Sequence, residues 1–264
     1  MQLSEYVWHG ILRRPYRLRK IIDQGKGDNI VILIHGLGAK AQQWQPLAKI
    51  LDKNKYRVVA YDLLGFGESP KPRFLEYSVE EHTNSLLKTI KKDLPKDACL
   101  IIVAHSMGCI ISTNLAFNNP GLIDKLILYE PPILASTGRK ILVRKSFYKY
   151  VAGRPALVSS YLRMAGRFTD KFSSFKTSNA TDEQWLPFEK SLRNTILDQE
   201  TVHELKHIDI DTHVVYGRFD FVVSKIDAKK MAAINPRVKL HYVTEIHDIT
   251  IKSAKFLKNI IESV

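Results

Sequence analysis

Serine, aspartate and histidine occur in that order at positions 106, 220 and 247, each just beyond an apolar run. A serine hydroxyl attacks a carbonyl carbon only when a base removes its proton. An imidazole serves best when a carboxylate fixes its tautomer. Ser106 lies in Ala104-His105-Ser106-Met107-Gly108, after the run Leu100–Val103 and ahead of a helical pattern. That context predicts a sharp strand-to-helix turn, a nucleophile elbow, which lifts the hydroxyl above the edge of a sheet. Small residues must flank such a turn at two positions on either side. Ala104 and Gly108 meet this need, although the usual pattern has glycine at the first. Asp220 follows the predicted strand Thr212–Tyr216 through Gly217-Arg218-Phe219, and His247 follows Val238–Val243 through Thr244-Glu245-Ile246. Glu130, at the end of an earlier strand, is the rival acid. Asp248, beside His247 in sequence, reads as a loop residue.

Acyl transfer also needs donors aimed at the oxygen that becomes negative in the tetrahedral intermediate. The backbone N–H of Met107 is one candidate. The other is Leu37, in His35-Gly36-Leu37-Gly38, where glycines let the chain turn after a strand.

The elements that must position these groups alternate between β-branched runs and amphipathic stretches, the pattern of a parallel sheet with crossover helices. Strands are expected at Ile30–Ile34, Tyr56–Tyr61, Leu100–Val103, Lys125–Tyr129, Thr212–Tyr216 and Val238–Val243. Helices are expected at Gln42–Lys53, Ser78–Leu94, after Ser106, near Ser224–Ile234 and at about Thr250–Ile261. Ser78-Val79-Glu80-Glu81 has the form of a capping box. The alternation lapses over 133–208, which predicts a helical cap inserted between core segments 1–132 and 209–264, above the edge where ligands sit in open α/β sheets.

The chain has 264 residues, enough for one domain with an insertion, and a net charge of +13. Residues 133–180 hold ten Lys and Arg against a single acid, Asp170, interleaved with aromatics such as Phe147, Tyr148 and Phe172. Arg13, Arg14, Arg17, Arg19 and Lys20 form a second basic cluster. The basic cap reads as a solvated face whose long stems cover apolar surface, or as a contact for an anionic membrane surface or acidic substrates. No nucleic-acid-binding motif accompanies the charge. The two cysteines, Cys99 and Cys109, read as core thiols rather than a bridge. No stretch approaches the ~20 apolar residues of a bilayer span, and the start lacks the order of a secretory signal. A reducing, cytoplasmic setting is the expectation.

One motif belongs to other chemistry. His203-Glu204-Leu205-Lys206-His207 matches the helical zinc signature H-E-x-x-H, which fixes only three letters in a chain with nine histidines. No third ligand is identifiable, and the stretch reads as a solvated helix at the end of the cap.

Taken together, His35–Gly38, Asp62-Leu63-Leu64-Gly65-Phe66-Gly67-Glu68-Ser69, Ala104–Gly108, Gly217–Asp220 and His247 resemble the α/β-hydrolase superfamily over about residues 25–264. The resemblance implies a doubly wound, mostly parallel eight-stranded sheet with a variable lid and no metal or organic cofactor. It implies Ser106 as nucleophile, His247 as base, Asp220 as acid, and Leu37 and Met107 as oxyanion donors. The Asp62–Ser69 loop resembles a structural turn with no catalytic role. Serine at the elbow argues against the epoxide-hydrolase and haloalkane-dehalogenase branches, which carry aspartate there. The longer Ser/Gly/Pro-rich loop usual in carbon–carbon hydrolases of dienoates is absent. The expectation is therefore a carboxylic ester hydrolase acting on a small-molecule ester. Thioesterase and acyltransferase use the same parts, and a non-catalytic receptor keeps the same fold.

Overall fold

The computed structural model describes residues 5–95, 97–133, 181–220, 222–223 and 225–263. Seven strands form one sheet: β1 (Arg19–Gln24), β2 (Asn29–Ile34), β3 (Tyr56–Asp62), β4 (Cys99–His105), β5 (Lys125–Tyr129), β6 (Asp211–Gly217) and β7 (Lys239–Val243). Their spatial order is β1-β3-β2-β4-β5-β6-β7. Only β1 runs antiparallel to its neighbour; every other pair is parallel. The chain winds outward from β2 to β3, then returns to place β4 on the other side of β2. That reversal makes a crevice at the carboxyl ends of β2 and β4, the place where open α/β sheets bind ligands.

The helices are α1 (Gln45–Ile50), α2 (Val79–Asp93), α3 (Met107–Asn118), α4 (Asp182–Ser191), α5 (Thr201–His207), α6 (Ala228–Ile234) and α7 (Ile251–Glu262). Strand alternation sorts the core into two layers. Ile30, Ile32 and Ile34 face the layer that holds Leu86 and Ile90 of α2 and Ile111 and Leu115 of α3. Val31 and Leu33 face the other layer, with Trp44, Leu47 of α1, and Leu257 and Ile261 of α7. The predicted capping box is present: Glu81 N–H donates to Ser78 Oγ at 3.2 Å, and Ser78 N–H to the Glu81 carboxylate at 3.2 Å.

Several expectations are refined. Seven strands stand among the described residues where the resemblance implied eight. Ahead of β1 lies a helical turn, Tyr6–Ile11, rather than a further strand. β1 itself escaped the sequence pattern because it is an edge strand with two apolar residues amid charge. The predicted helix Gln42–Lys53 divides into a 3₁₀ turn, Ala41–Trp44, and α1, with Pro46 in the first turn of α1, where a missing N–H costs nothing. The helix placed near Ser224 starts at Ala228, where Asp227 Oδ1 accepts from Lys230 N–H at 2.9 Å. Cys109 is buried, but Cys99 is exposed, since it opens β4 at the solvent end of the sheet. The basic and aromatic part of the expected cap, 134–180, lies outside the described residues. Of the rest of that stretch, α4 and a π turn (Leu192–Leu197) pack on loops at the carboxyl edge, while α5 packs along α3. Thr195 Oγ1 donates to the Tyr77 carbonyl at 2.7 Å, and Gln199 to that of Pro132 at 2.9 Å. Among the described residues, no helix is long and apolar enough to cross a membrane.

The Asp62–Ser69 loop is a structural knot, as its resemblance implied. The buried Asp62 carboxylate accepts from Ala41 N–H and Glu68 N–H, both at 2.8 Å, and so joins two loops of the crevice. Gly67 has φ +52°, and a Cβ there would stand 1.9 Å from Asp62 Oδ2. Asp62→Ala should therefore strand one buried and one part-buried donor and lower stability by about 1–3 kcal/mol. Chemical denaturation of the purified variant measures this loss.

Candidate active site

Ser106 sits between β4 and α3 with φ 51° and ψ −120°. This conformation costs a non-glycine residue about 1–3 kcal/mol and persists only where surrounding contacts impose it. Those contacts are visible. Ser106 N–H donates to the Tyr129 carbonyl at 3.0 Å, and its own carbonyl accepts from Cys109 N–H at 2.9 Å. Gly108 lets α3 approach the end of β2, because a Cβ there would meet the His35 carbonyl oxygen at 2.6 Å. Gly36 is equally constrained: its Cβ would stand 3.0 Å from that of Ser106 and 2.9 Å from His105 Nδ1. The strain of the elbow is thus held by two glycines and a neighbouring strand.

The loop after β2 is pinned from within by His35. Its Nδ1–H donates to the Gly36 carbonyl at 2.8 Å, and its Nε2 accepts from Leu63 N–H at 2.8 Å. Burial lowers the His35 pKa, so the ring is held neutral and can play both parts. The loop closes with Ala39 N–H on the Gly36 carbonyl at 3.2 Å, a turn that does not use the Leu37 N–H. Met107 opens α3, so its N–H has no partner within the helix. An open cleft of about 840 Å³ lies beside this loop, bounded by Gly38, Gln43, Gly65, Phe66, Lys71 and Gln184.

Asp220 and His247 meet across the ends of β6 and β7. Backbone bonds zip their loops together, Arg218 N–H to the Val243 carbonyl at 2.7 Å and Phe219 N–H to that of Glu245 at 3.0 Å. His247 Nδ1 lies 2.7 Å from Asp220 Oδ2. Asp220 Oδ1 accepts from Val222 N–H at 2.6 Å. Burial alone would raise the Asp220 pKa; hydrogen bonds from His247 and Glu130 outweigh it and hold the carboxyl below its usual range.

Glu130, the rival acid, lies within 4.8 Å of both Asp220 and His247, yet the imidazole does not use it. It is fully buried with φ 52°. Its Oε1 accepts from Gly217 N–H, while no donor points at Oε2. Burial, followed by the hydrogen bond and charge of Asp220, pushes its pKa up to about 10. A neutral acid whose hydroxyl donates to Asp220 satisfies both observations.

Two further residues hold the His247 loop, and sequence reasoning missed both. His105 Nε2–H donates to the His247 carbonyl at 2.8 Å, while its Nδ1 faces the Gln43 amide at 3.4 Å. Burial, then the neighbouring His247, depresses the His105 pKa, which suits a neutral donor. Tyr129 hydroxyl donates to the Ile246 carbonyl at 3.0 Å, with the Asp248 carbonyl at 3.4 Å. The signal was their adjacency to the elbow and to the end of β5, but which loop they reach is a tertiary fact. Ser106 is joined to the pair through His105, whose ring centroid is 4.8 Å from that of His247. No hydrogen bond links Ser106 Oγ to His247 among the described residues.

A family model described as the alpha/beta hydrolase fold matches residues 29–249. The chain belongs to this family. A 2-hydroxy-6-oxo-6-(2'-aminophenyl)hexa-2,4-dienoic acid hydrolase of Metapseudomonas resinovorans is 28% identical, over 77% of this chain and 72% of that protein. Probable lysophospholipase BODYGUARD 4 of Arabidopsis thaliana is 35% identical over 50% of this chain. The match spans only 32% of that plant protein's length. Among solved structures, an enol-lactonase from Burkholderia xenovorans LB400 aligns with TM-score 0.69 at 18% identity, over 92% of this chain and 94% of the other. A thioesterase domain from the curacin biosynthetic pathway aligns with TM-score 0.66 at 23% identity, over 93% and 98%. At these identities the two structures show the common fold alone.

The H-E-x-x-H stretch of this family member forms α5. Its Glu204 is buried and accepts from the Asn114 amide of α3, and His207 Nδ1 donates to the His203 carbonyl at 2.7 Å. Among the described residues, no third histidine, cysteine or carboxylate joins them within reach of one ion.

The Glu130 carboxyl should leave a pH signature in stability. Its native pKa stands above the ordinary 4.5, so the folded state binds more protons than the unfolded one between about pH 4.5 and 10. Stability from this group is therefore full below pH 4.5 and falls as pH rises through that window, by at most about 1.4 kcal/mol per unit. Glu130→Gln keeps an acceptor for Gly217 and a donor for Asp220 without the ionisation. Its stability should gain on wild type steadily from pH 5 to pH 9 in denaturant melts. Parallel curves would show that folded Glu130 is already ionised in that window and that its pKa is not raised.

Proposed function

We propose that this α/β hydrolase cleaves carboxylic esters through an acyl-enzyme on Ser106, with His247 as general base and Asp220 as its orienting acid. The observation that carries the reading is the 2.7 Å contact between His247 Nδ1 and Asp220 Oδ2. It commits Nδ1 to the carboxylate and leaves Nε2 as the basic nitrogen. In this reading Nε2 takes the Ser106 proton as Oγ attacks the carbonyl carbon. The oxygen turned negative is received by the N–H groups of Leu37 and Met107. Collapse expels the alkoxide, which His247 protonates. The same imidazole then draws a proton from the water that attacks the acyl carbon and gives it to Ser106 Oγ as the acid leaves. Catalytic contacts are often long before substrate binds, so the unmade Ser106–His247 bond is consistent with this sequence. The plant relatives named as probable lysophospholipases support an ester of a lipid type as substrate. The structural kinship with a thioesterase supports the same machinery acting on a thioester.

A second reading, a carbon–carbon bond hydrolase of the same fold, is supported by the Metapseudomonas relative, a hydrolase of a hexa-2,4-dienoic acid whose match covers 77% of this chain. A shared nucleophile and base would serve that reaction too. The absent Ser/Gly/Pro-rich loop after His35-Gly36 weighs against it.

The test is a panel of p-nitrophenyl esters of rising acyl length, assayed beside a fluorophosphonate label. Wild type should hydrolyse at least one ester and take the label. Ser106→Ala should do neither, with kcat lowered by at least about 10⁴-fold, and Asp220→Asn should lose a comparable factor. Turnover of a ring-opened dienoate without ester hydrolysis would favour the second reading. Label-free protein with no turnover of either would leave a receptor. Tyr129→Phe tests the positioning contact: it should lower kcat about tenfold with KM little changed, the signature of a group that aligns His247 without touching substrate.

A further inference from the structure

The segment before β1 carries surface that the fold does not use. Among the described residues, the exposed large apolar side chains include Tyr6, Val7, Trp8, Ile11 and Leu12, a group packed into seven consecutive positions. Trp8, Ile11 and Leu12 are 52%, 61% and 54% exposed, and the helical turn Tyr6–Ile11 buries none of its residues. Arg13 and Arg14 follow directly, both exposed. Among the described residues neither makes an ion pair. The Arg14 guanidinium instead stands 5.9 Å from the Trp8 ring centroid. Arg17 and Arg19, next along, are engaged with Asp93 and Glu68.

The place of this patch matters as much as its composition. Because β1 runs antiparallel, its first residue, Arg19, lies opposite Asp62 at the carboxyl end of β3. Tyr6 packs edge-to-face on Phe74 at 5.4 Å, in the loop that leads into α2. Stacking of His9 on Tyr16 at 3.7 Å and the bond from Tyr16 hydroxyl to Glu5 at 3.0 Å fix the turn to the body. The apolar turn is therefore presented near the edge of the sheet at which Ser106, Asp220 and His247 stand.

We infer that Tyr6–Arg14 is a docking surface for an anionic lipid bilayer. An indole with aliphatic neighbours partitions into the headgroup boundary, and adjacent guanidinium groups meet lipid phosphates there. Unpaired arginines beside exposed aliphatic groups are a poor match for a neutral protein partner and a good one for such a surface. The inference goes beyond the proposed ester chemistry and does not depend on it.

The test exploits the tryptophans. The chain has three, and Trp44 and Trp185 are buried, so a spectral change on docking reports Trp8. The protein carries Ser106→Ala, so that no hydrolysis alters the vesicles and docking is scored apart from catalysis. With phosphatidylcholine vesicles containing a quarter phosphatidylglycerol, Trp8 emission should shift to the blue and be quenched by brominated acyl chains. Pure phosphatidylcholine should give little of either effect. Arg13→Gln with Arg14→Gln should weaken partitioning by about fivefold per charge removed. Ile11→Ser with Leu12→Ser should abolish the shift, circular dichroism confirming that each variant folds. No blue shift on the anionic vesicles would overturn the proposal. So would binding that survives both double variants, which would place the lipid contact elsewhere. A lipid-free blue shift that grows with protein concentration alongside a dimer mass would identify a second copy as occupant and equally overturn it.

Discussion

The candidate site depends on fixing one imidazole, and the fold does this chiefly through its backbone. Three consecutive carbonyls, those of Ile246, His247 and Asp248, face donors from Tyr129 and His105. With the main chain held, Asp220 needs to set only the ring, through a single 2.7 Å contact. Both anchoring donors come from elements that also shape the elbow. His105 precedes Ser106, and the Tyr129 carbonyl accepts the Ser106 N–H. Ser106 and His247 are thus referred to the same two residues. That common frame matters more than any one side-chain bond, because a misplacement of about 1 Å at reacting groups costs on the order of 10²-fold in rate.

Neutral partners are the second constraint. A buried imidazolium at position 105 would place a charge next to His247, and a buried carboxylate at position 130 would place one next to Asp220. Burial prevents both, since the low-dielectric interior disfavours the charged form of each. His105 is kept neutral, and Glu130 is pushed up to about 10. Each can then donate a hydrogen bond without competing for the proton that the proposed mechanism moves. Two carboxyls at this distance cannot both ionise cheaply. The asymmetry is decided by partners, for Asp220 accepts from His247 and the Val222 N–H, whereas Glu130 receives only the Gly217 N–H.

Much of this was legible in the sequence, and what was not has an identifiable physical cause. The inner parallel strands β2 to β6 announce themselves as apolar runs because they are buried on both faces, and the bounds of all six parallel strands fall within a residue or two of the pattern. Asp220 and His247 were found because their order and their strand-end positions are topological facts that a linear sequence preserves. β1 was illegible, since an edge strand needs little apolar content. Which of Glu130 and Asp220 meets the imidazole was a choice between two strand-end acids, and only the facing of loops across the sheet decides it. His105 and Tyr129 were marked only by their adjacency to the elbow and to the end of β5, because each acts on main-chain atoms more than a hundred positions away. Backbone acceptors carry no residue identity to read.

The H-E-x-x-H stretch shows the same limit from the opposite side. Its letters are correct for zinc, and α5 does place His203 and His207 with ring centroids 4.5 Å apart. A zinc-site glutamate must reach water beside the metal. Here Glu204 is buried and turned to the Asn114 amide, so the residue that would act as base is spent on joining α5 to α3. Burial is the first cause that raises its pKa, with the Asn114 bond opposing it. The glutamate of the pattern is explained by packing, and the histidine spacing follows from any helix that presents the same face twice. A motif acquires chemical meaning only when its side chains converge on one point. In this chain such a convergence is seen between Asp220 and His247, across the ends of β6 and β7.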